Sequence, residues 1–230
     1  MNRPSYVRDG IVLGAAVGLF GVTFGVLAVT AGLSVAQACA MSLLVFTGAS
    51  QFAAVAVVMA GGSPGAVLAP ALLLAARNGI YGLALHQHLQ GSAWRRLLAA
   101  QLVIDESTAL ALGQEAPQHR EPAFWVAGLS VFVCWNLGTV AGALGGEALG
   151  DPQVWGLDAA FPAGFLVLMR PHVARRAGKV AAIAGGIIAL VTIPLLPAGG
   201  PIIAGSLGAV AGLLLARDER PTDRPEGPVR

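Results

Sequence analysis

The chain has 230 residues, of which 56% are hydrophobic and only 11% charged, with a formal net charge of +2. Soluble domains carry roughly 25% charged residues, so this composition excludes an ordinary soluble fold and predicts an all-α, polytopic membrane protein. The charge is too small for a nucleic-acid partner, and Cys39 and Cys134 lie in apolar segments as packing residues, with no disulfide or metal framework.

About eight hydrophobic segments follow in order, near 10–33, 36–60, 66–89, 97–113, 123–149, 157–169, 180–196 and 202–216. The first is longer than a signal-peptide core of about 7–15 residues and reads as a retained span. It carries Gly14, Gly18, Gly21 and Gly25 on one face, as Gly138, Gly142 and Gly146 do in the fifth segment and Gly205, Gly208 and Gly212 in the eighth. Such faces let helix backbones approach closely.

The second segment contains Phe46-Thr47-Gly48-Ala49-Ser50-Gln51-Phe52. Small and hydroxyl-bearing residues in a row weaken a helix, and a break at membrane depth survives only where protein or a water-filled cavity satisfies the freed backbone groups. Transporters build binding sites from such half-helices, although a polar patch also serves to glue two helices together. The sixth segment is short and holds Phe161 and Pro162, with Asp158 placed to cap a half-helix. Segments 36–60 and 157–170 are therefore expected to be broken or re-entrant, related as inverted repeats, with their breaks near Gly48 and Pro162 meeting at the bilayer midplane.

Arg77 and Asn78 fall near the middle of the third segment, and Asp105 and Glu106 near the middle of the fourth. A charge at the bilayer centre costs about 2.5–3.5 kcal/mol on insertion scales, so these residues need partners or water. They form either an Arg77–Asp105 or Arg77–Glu106 lock between helices, or an ion-coupling group in which a carboxylate carries a proton or cation. Trp135 reads as packing, whereas Asn136 is harder to leave facing lipid. His86 and His88 suit an interface, and His172 a solvated loop.

The order of the Lys and Arg residues places both termini in the cytoplasm. If all eight segments cross, Arg95 and Arg96 lie outside; if only the second and sixth re-enter, Arg120 alone is misplaced, which favours the re-entrant version. Residues 1–216 then form one membrane transport domain, and 217–230 a polar, Pro-rich cytoplasmic tail expected to be disordered.

The expected site lies at the broken segments. The start of a half-helix near Gly48–Phe52, with Ser50 and Gln51, suits a carboxylate. Backbone carbonyls at the other break, or Asn136, suit an ammonium, and Phe46, Phe52 and Phe161 give an apolar wall. Arg77, Asn78, Asp105, Glu106 and Asp158 are the candidates for ion coupling or gating. No GxxxxGK[ST] string is present to bind nucleotide. Gly48-Ala49-Ser50-Gln51 only superficially matches the Gly-x-Ser-Gly of intramembrane serine hydrolases; that reading ranks behind a channel-like or structural membrane subunit.

Gly21-Val22-Thr23-Phe24-Gly25, Ala31-Gly32-Leu33-Ser34, Phe46-Thr47-Gly48-Ala49-Ser50-Gln51-Phe52, Arg77-Asn78-Gly79-Ile80-Tyr81-Gly82 and Gly156-Leu157-Asp158 through Pro162-Ala163 come in order. In order and spacing the chain resembles the AzlC/YgaZ family from about residue 4 to 216, departing mildly at Asp158-Ala159-Ala160-Phe161. The resemblance implies a permease of the bacterial inner membrane. It would export branched-chain or other neutral aliphatic amino acids, driven by the proton gradient, without a cofactor, and with a small membrane subunit of the AzlD/YgaH type.

Overall fold

A computed structural model describes residues 5–149, 166, 169 and 172–218, which are helical with no strand among them. The chain divides into two compact units, Met1–Gly164 and Phe165–Arg230. In the first lie α1 (Ser5–Thr30), α2 (Val35–Val45), α3 (Ala49–Met59), α4 (Pro64–Leu85), α5 (Ala93–Gln101), α6 (Asp105–Leu112) and α7 (Pro117–Leu149). Among the described residues three helices, Ser5–Thr30, Pro64–Leu85 and Pro117–Gly146, are long and apolar enough to cross a membrane.

The glycine faces of α1 and α7 pack against each other. A Cβ added at Gly14 would stand 2.7 Å from Ser130, one at Gly18 2.9 Å from Cys134, and one at Gly146 2.7 Å from Val29. At Gly142 it would run into the Val22 carbonyl. Contacts advance together along both helices, so α1 and α7 are parallel and touch backbone to backbone. In hydrocarbon, where burial of apolar side chains gives no advantage over lipid, such close van der Waals contact is what holds helices together.

The second segment is broken as the sequence indicates, between Val45 and Ala49. Phe46 has φ 25° and Gly48 φ 58°, conformations that glycine adopts freely and phenylalanine does not. Descending from the Thr30 end, α2 hydrogen-bonds Ser42 Oγ to Thr139 Oγ1 at 3.1 Å and seats Phe46 on Phe132, ring centroids 4.9 Å apart. α3 then leaves this point, a short turn at Ala60–Ser63 joins it to α4, and the two helices lie side by side.

The fourth segment differs from its expected single span. It is two helices, α5 and α6, separated at Leu102–Ile104. Arg95 at the start of α5 meets Glu121 at 2.9 Å, and Leu102 at its end lies against Gly128. α6 comes back: Leu110 reaches the Gly10 position, and the Gln114 carbonyl accepts from Arg120 at 3.3 Å. Arg120 is also 3.2 Å from His88, which precedes α5. The chain thus enters and leaves this segment at the same end. Asp105 and Glu106 are consequently not in the middle of a helix but in the first turn of one.

Two helical hairpins therefore enter from opposite ends, α2–α3 from the Thr30 end and α5–α6 from the Ser5 end, with α1, α4 and α7 crossing between. Neither topology drawn from the charges survives unchanged. Re-entry of the second segment without the fourth would make α1 and α7 antiparallel. With both hairpins in place, every Arg of the described first unit except Arg77 sits at the Ser5 end, Arg120 included. Half-helices of 8 to 11 residues measure about 12–16 Å, roughly half of a 30 Å hydrocarbon core.

In the second unit a 3₁₀ turn (His172–Ala174) precedes α8 (Arg176–Thr192), α9 (Gly200–Ser206) and α10 (Gly208–Asp218). Gly205, Gly208 and Gly212 form the close-packed face expected of them, against Gly185, Ala181 and Ala177 of α8. The eighth segment is interrupted at Leu207, and helix continues to Asp218 where a polar tail was expected to have begun. The expected break at 157–170 and the tail beyond Asp218 lie outside the described residues, apart from helical positions 166 and 169.

Candidate functional site

The two hairpin tips meet against α7. Gln101, the last residue of α5, donates from Nε2 to the Leu43 carbonyl in the last turn of α2 at 2.9 Å. Along α7 the second tip rests at Gly128 and the first at Phe132 and Trp135, one to two turns or roughly 6–10 Å apart.

At the first tip, Gln51 is fully buried and Ser50 1% exposed. Gln51 Oε1 accepts from Gly48 N at 3.1 Å and Thr47 N at 3.3 Å, which caps α3. Its Nε2 is buried and unpaired among the described residues, as is Nε1 of Trp135. The Ser50 hydroxyl bonds that of Thr47. Phe52 and Phe24 close the tip with Trp135, centroids 5.7–6.0 Å apart. The first amides of α3 have no carbonyl one turn back to bond, so this tip gathers N–H donors and aromatic walls. Its chemistry suits an anion carrying an apolar tail.

At the second tip the chemistry is acidic. Ser107 caps α6, accepting from Ile104 N at 3.1 Å and donating to the Leu102 carbonyl at 2.6 Å. Asp105 Oδ2 accepts from Arg77 Nη1 of α4 at 2.7 Å, so Asp105 is the carboxylate that takes the arginine. Glu106 has no ion pair among the described residues. Arg77 Nε, Asn78 Oδ1 and Thr108 Oγ1 are buried and unpaired among the described residues. Tyr81, one turn beyond Arg77, stands within the electrostatic reach of Asp105, Arg77 and Glu106. Asn136 turns its amide back onto the Phe132 carbonyl at 2.8 Å. Asp158, Phe161 and Pro162 lie outside the described residues.

The structure thus brings Phe46, Gly48, Ser50, Gln51 and Phe52 together at one tip, and Arg77, Asn78, Asp105 and Glu106 at the other. Sequence reasoning missed Tyr81, Ser107, Gln101, Phe24 and Phe132. Tyr81 was detectable from its four-residue spacing to Arg77, which puts both on one helix face. Ser107, three residues after the β-branched Ile104 and behind two acids, carries the composition of a helix start.

Residues 12–149 match the family model described as AzlC protein. The chain belongs to the AzlC family. The match runs from within α1 to the end of α7, both hairpins included, but stops short of residue 216, where the resemblance read from the sequence ends. A relative from Helicobacter pylori (strain ATCC 700392 / 26695), described as an uncharacterized membrane protein, is 31% identical over 77% of this chain and 78% of its own. A protein of the same description from Haemophilus influenzae is 25% identical over 76% and 73%. No solved structure matches. This AzlC-family chain is a membrane protein with a transport-related role.

Proposed function

We propose that this AzlC-family chain is the large subunit of a secondary exporter of branched-chain and other neutral aliphatic amino acids. It works across the bacterial cytoplasmic membrane and is coupled to the proton gradient. Residues 1–216 act as its transport domain and the remainder as a cytoplasmic tail. A small membrane subunit of the AzlD/YgaH type completes it. Arginines gathered at the Ser5 end favour a cytoplasmic N-terminus, and Arg175, Arg176 and Lys179 at the start of α8, where α10 also ends, favour a cytoplasmic C-terminus.

The observation that carries this reading is the meeting of two opposed hairpin tips of unlike chemistry. A zwitterion is matched by such a pair: its carboxylate by the α3 amides with Gln51 Nε2, its ammonium by acceptors towards the acidic tip. Aromatic residues at the first tip would wall its aliphatic side chain. Asp105 and Glu106 supply carboxylates for a proton, with Arg77 opposing a permanent charge. Asn136, already bonded to its own helix, contributes its remaining carbonyl oxygen at most. For the hydrolase alternative Ser50 would need a base, and its observed partner is Thr47.

Counterflow by the reconstituted chain with its small subunit tests the proposal. Proteoliposomes loaded with unlabelled leucine should transiently accumulate labelled leucine, with valine and methionine competing. A flux that rises linearly with concentration, without competition, would instead indicate a channel.

A further inference from the structure

At the first tip two buried N–H donors, Gln51 Nε2 and Trp135 Nε1, have no acceptor among the described residues. Gln51 is fully buried and Trp135 4% exposed, so bulk water serves neither. Trp135 is held by its neighbours on α1 and α3. A Cβ added at Gly21 would press on its backbone, Phe24 stacks on its ring, and Phe52 meets the ring at a steep angle. The ring thereby reaches the break: a Cβ added at Gly48 would lie 3.9 Å from Cη2, and Nε1 belongs to the same edge of the indole. Gly48 also anchors the Gln51 side chain, since its N–H donates to Oε1 at 3.1 Å. Both unpaired donors thus belong to side chains lying against one glycine, beside the first amides of α3, which have no carbonyl one turn back.

Donors without acceptors suit a ligand that only accepts. A carboxylate is such a group, whereas a water would bring two further protons to place. We infer that Trp135 is a substrate-binding residue, its indole N–H and the Gln51 amide nitrogen each donating to the carboxylate of the transported amino acid. The inference rests on the export reading above and extends it to a residue that the sequence marks only as packing. It also sets specificity. The amide of the same amino acid offers a single uncharged oxygen and turns an NH2 group towards a donor, so a site built this way rejects it. Trp125 makes the comparison: its Nε1 is likewise unpaired among the described residues, but its ring lies beneath Arg95 at the Ser5 end.

The test is leucine counterflow by the full chain reconstituted with its small subunit, with leucinamide as competitor. Trp135→Phe keeps a ring and removes the N–H. It should raise the apparent KM for leucine about tenfold while leaving inhibition by leucinamide nearly unchanged. A ring that only packed would weaken both ligands together. Trp125→Phe should alter neither. A second readout leaves the position intact: with Trp94, Trp125 and Trp155 replaced by Phe, the remaining indole N–H resonance should shift on adding leucine and not on adding leucinamide. An unchanged KM for leucine in Trp135→Phe, an equal loss for both ligands, or an indole resonance indifferent to leucine would overturn the inference and leave the export reading standing. Absence of leucine counterflow by the unaltered chain would overturn both.

Discussion

At Gln51 the two ends of one amide do different things: the oxygen caps α3, while the nitrogen remains buried and unpaired among the described residues. Gln51→Ala removes both. Gln51→Glu keeps an oxygen for the cap and replaces the donor with an acceptor, so it isolates the substrate interaction. A hydrogen bond to a charged group contributes about 1.5–3 kcal/mol, so Gln51→Glu should raise the apparent KM roughly 10- to 100-fold in counterflow while the protein stays folded. Normal KM in that variant would place the carboxylate elsewhere.

Asp105→Asn should weaken dependence on the pH gradient and leave exchange largely intact; full retention of coupling would point to Glu106. The same change strands Arg77, whose side chain is 34% exposed. Losing one partner of a partly solvated pair should therefore cost about 1–3 kcal/mol, less than for a fully buried pair. Adding Arg77→Gln should return part of that stability in detergent melting experiments, and a double variant no more stable than Asp105→Asn would count against the pair.

Among the elements, α1 and α7 show how far a pattern of small residues reaches. The spacing of Gly14, Gly18, Gly21, Gly25, Gly138, Gly142 and Gly146 marked the close-packed faces, because no side chain larger than hydrogen fits between touching backbones. That these two faces meet each other, and in parallel, was not legible, since spacing carries no direction. Gly142→Leu should lower the melting temperature, with at least the 1–3 kcal/mol typical of overpacking, because its Cβ would collide with the Val22 carbonyl. The first break was legible because Gly48 and its polar neighbours are themselves poor helix formers. The second was not, because Leu102-Val103-Ile104 reads as an apolar run and the break is made by Ser107 turning back on the Leu102 and Ile104 backbone. Of the site, the residues at each tip were readable one by one, but their division into a donor tip and an acidic tip depends on the hairpin at 93–112.

For the whole molecule, opposed hairpins make a topological prediction. In a variant lacking Cys39 and Cys134, Gly62→Cys should react with a membrane-impermeant thiol reagent applied to intact cells, whereas Ser92→Cys should react only after the membrane is opened. Labelling of Ser92→Cys from outside would mean that the second segment crosses instead of turning back. The most direct measurement for the proposed function is uptake of radiolabelled leucine by inside-out vesicles from cells that overproduce the chain with its small subunit. Uptake should be saturable, stronger when the lumen is acidic, and abolished by a protonophore. Uptake no greater than in vesicles lacking the chain, under the same gradient, would contradict proton-coupled amino-acid export.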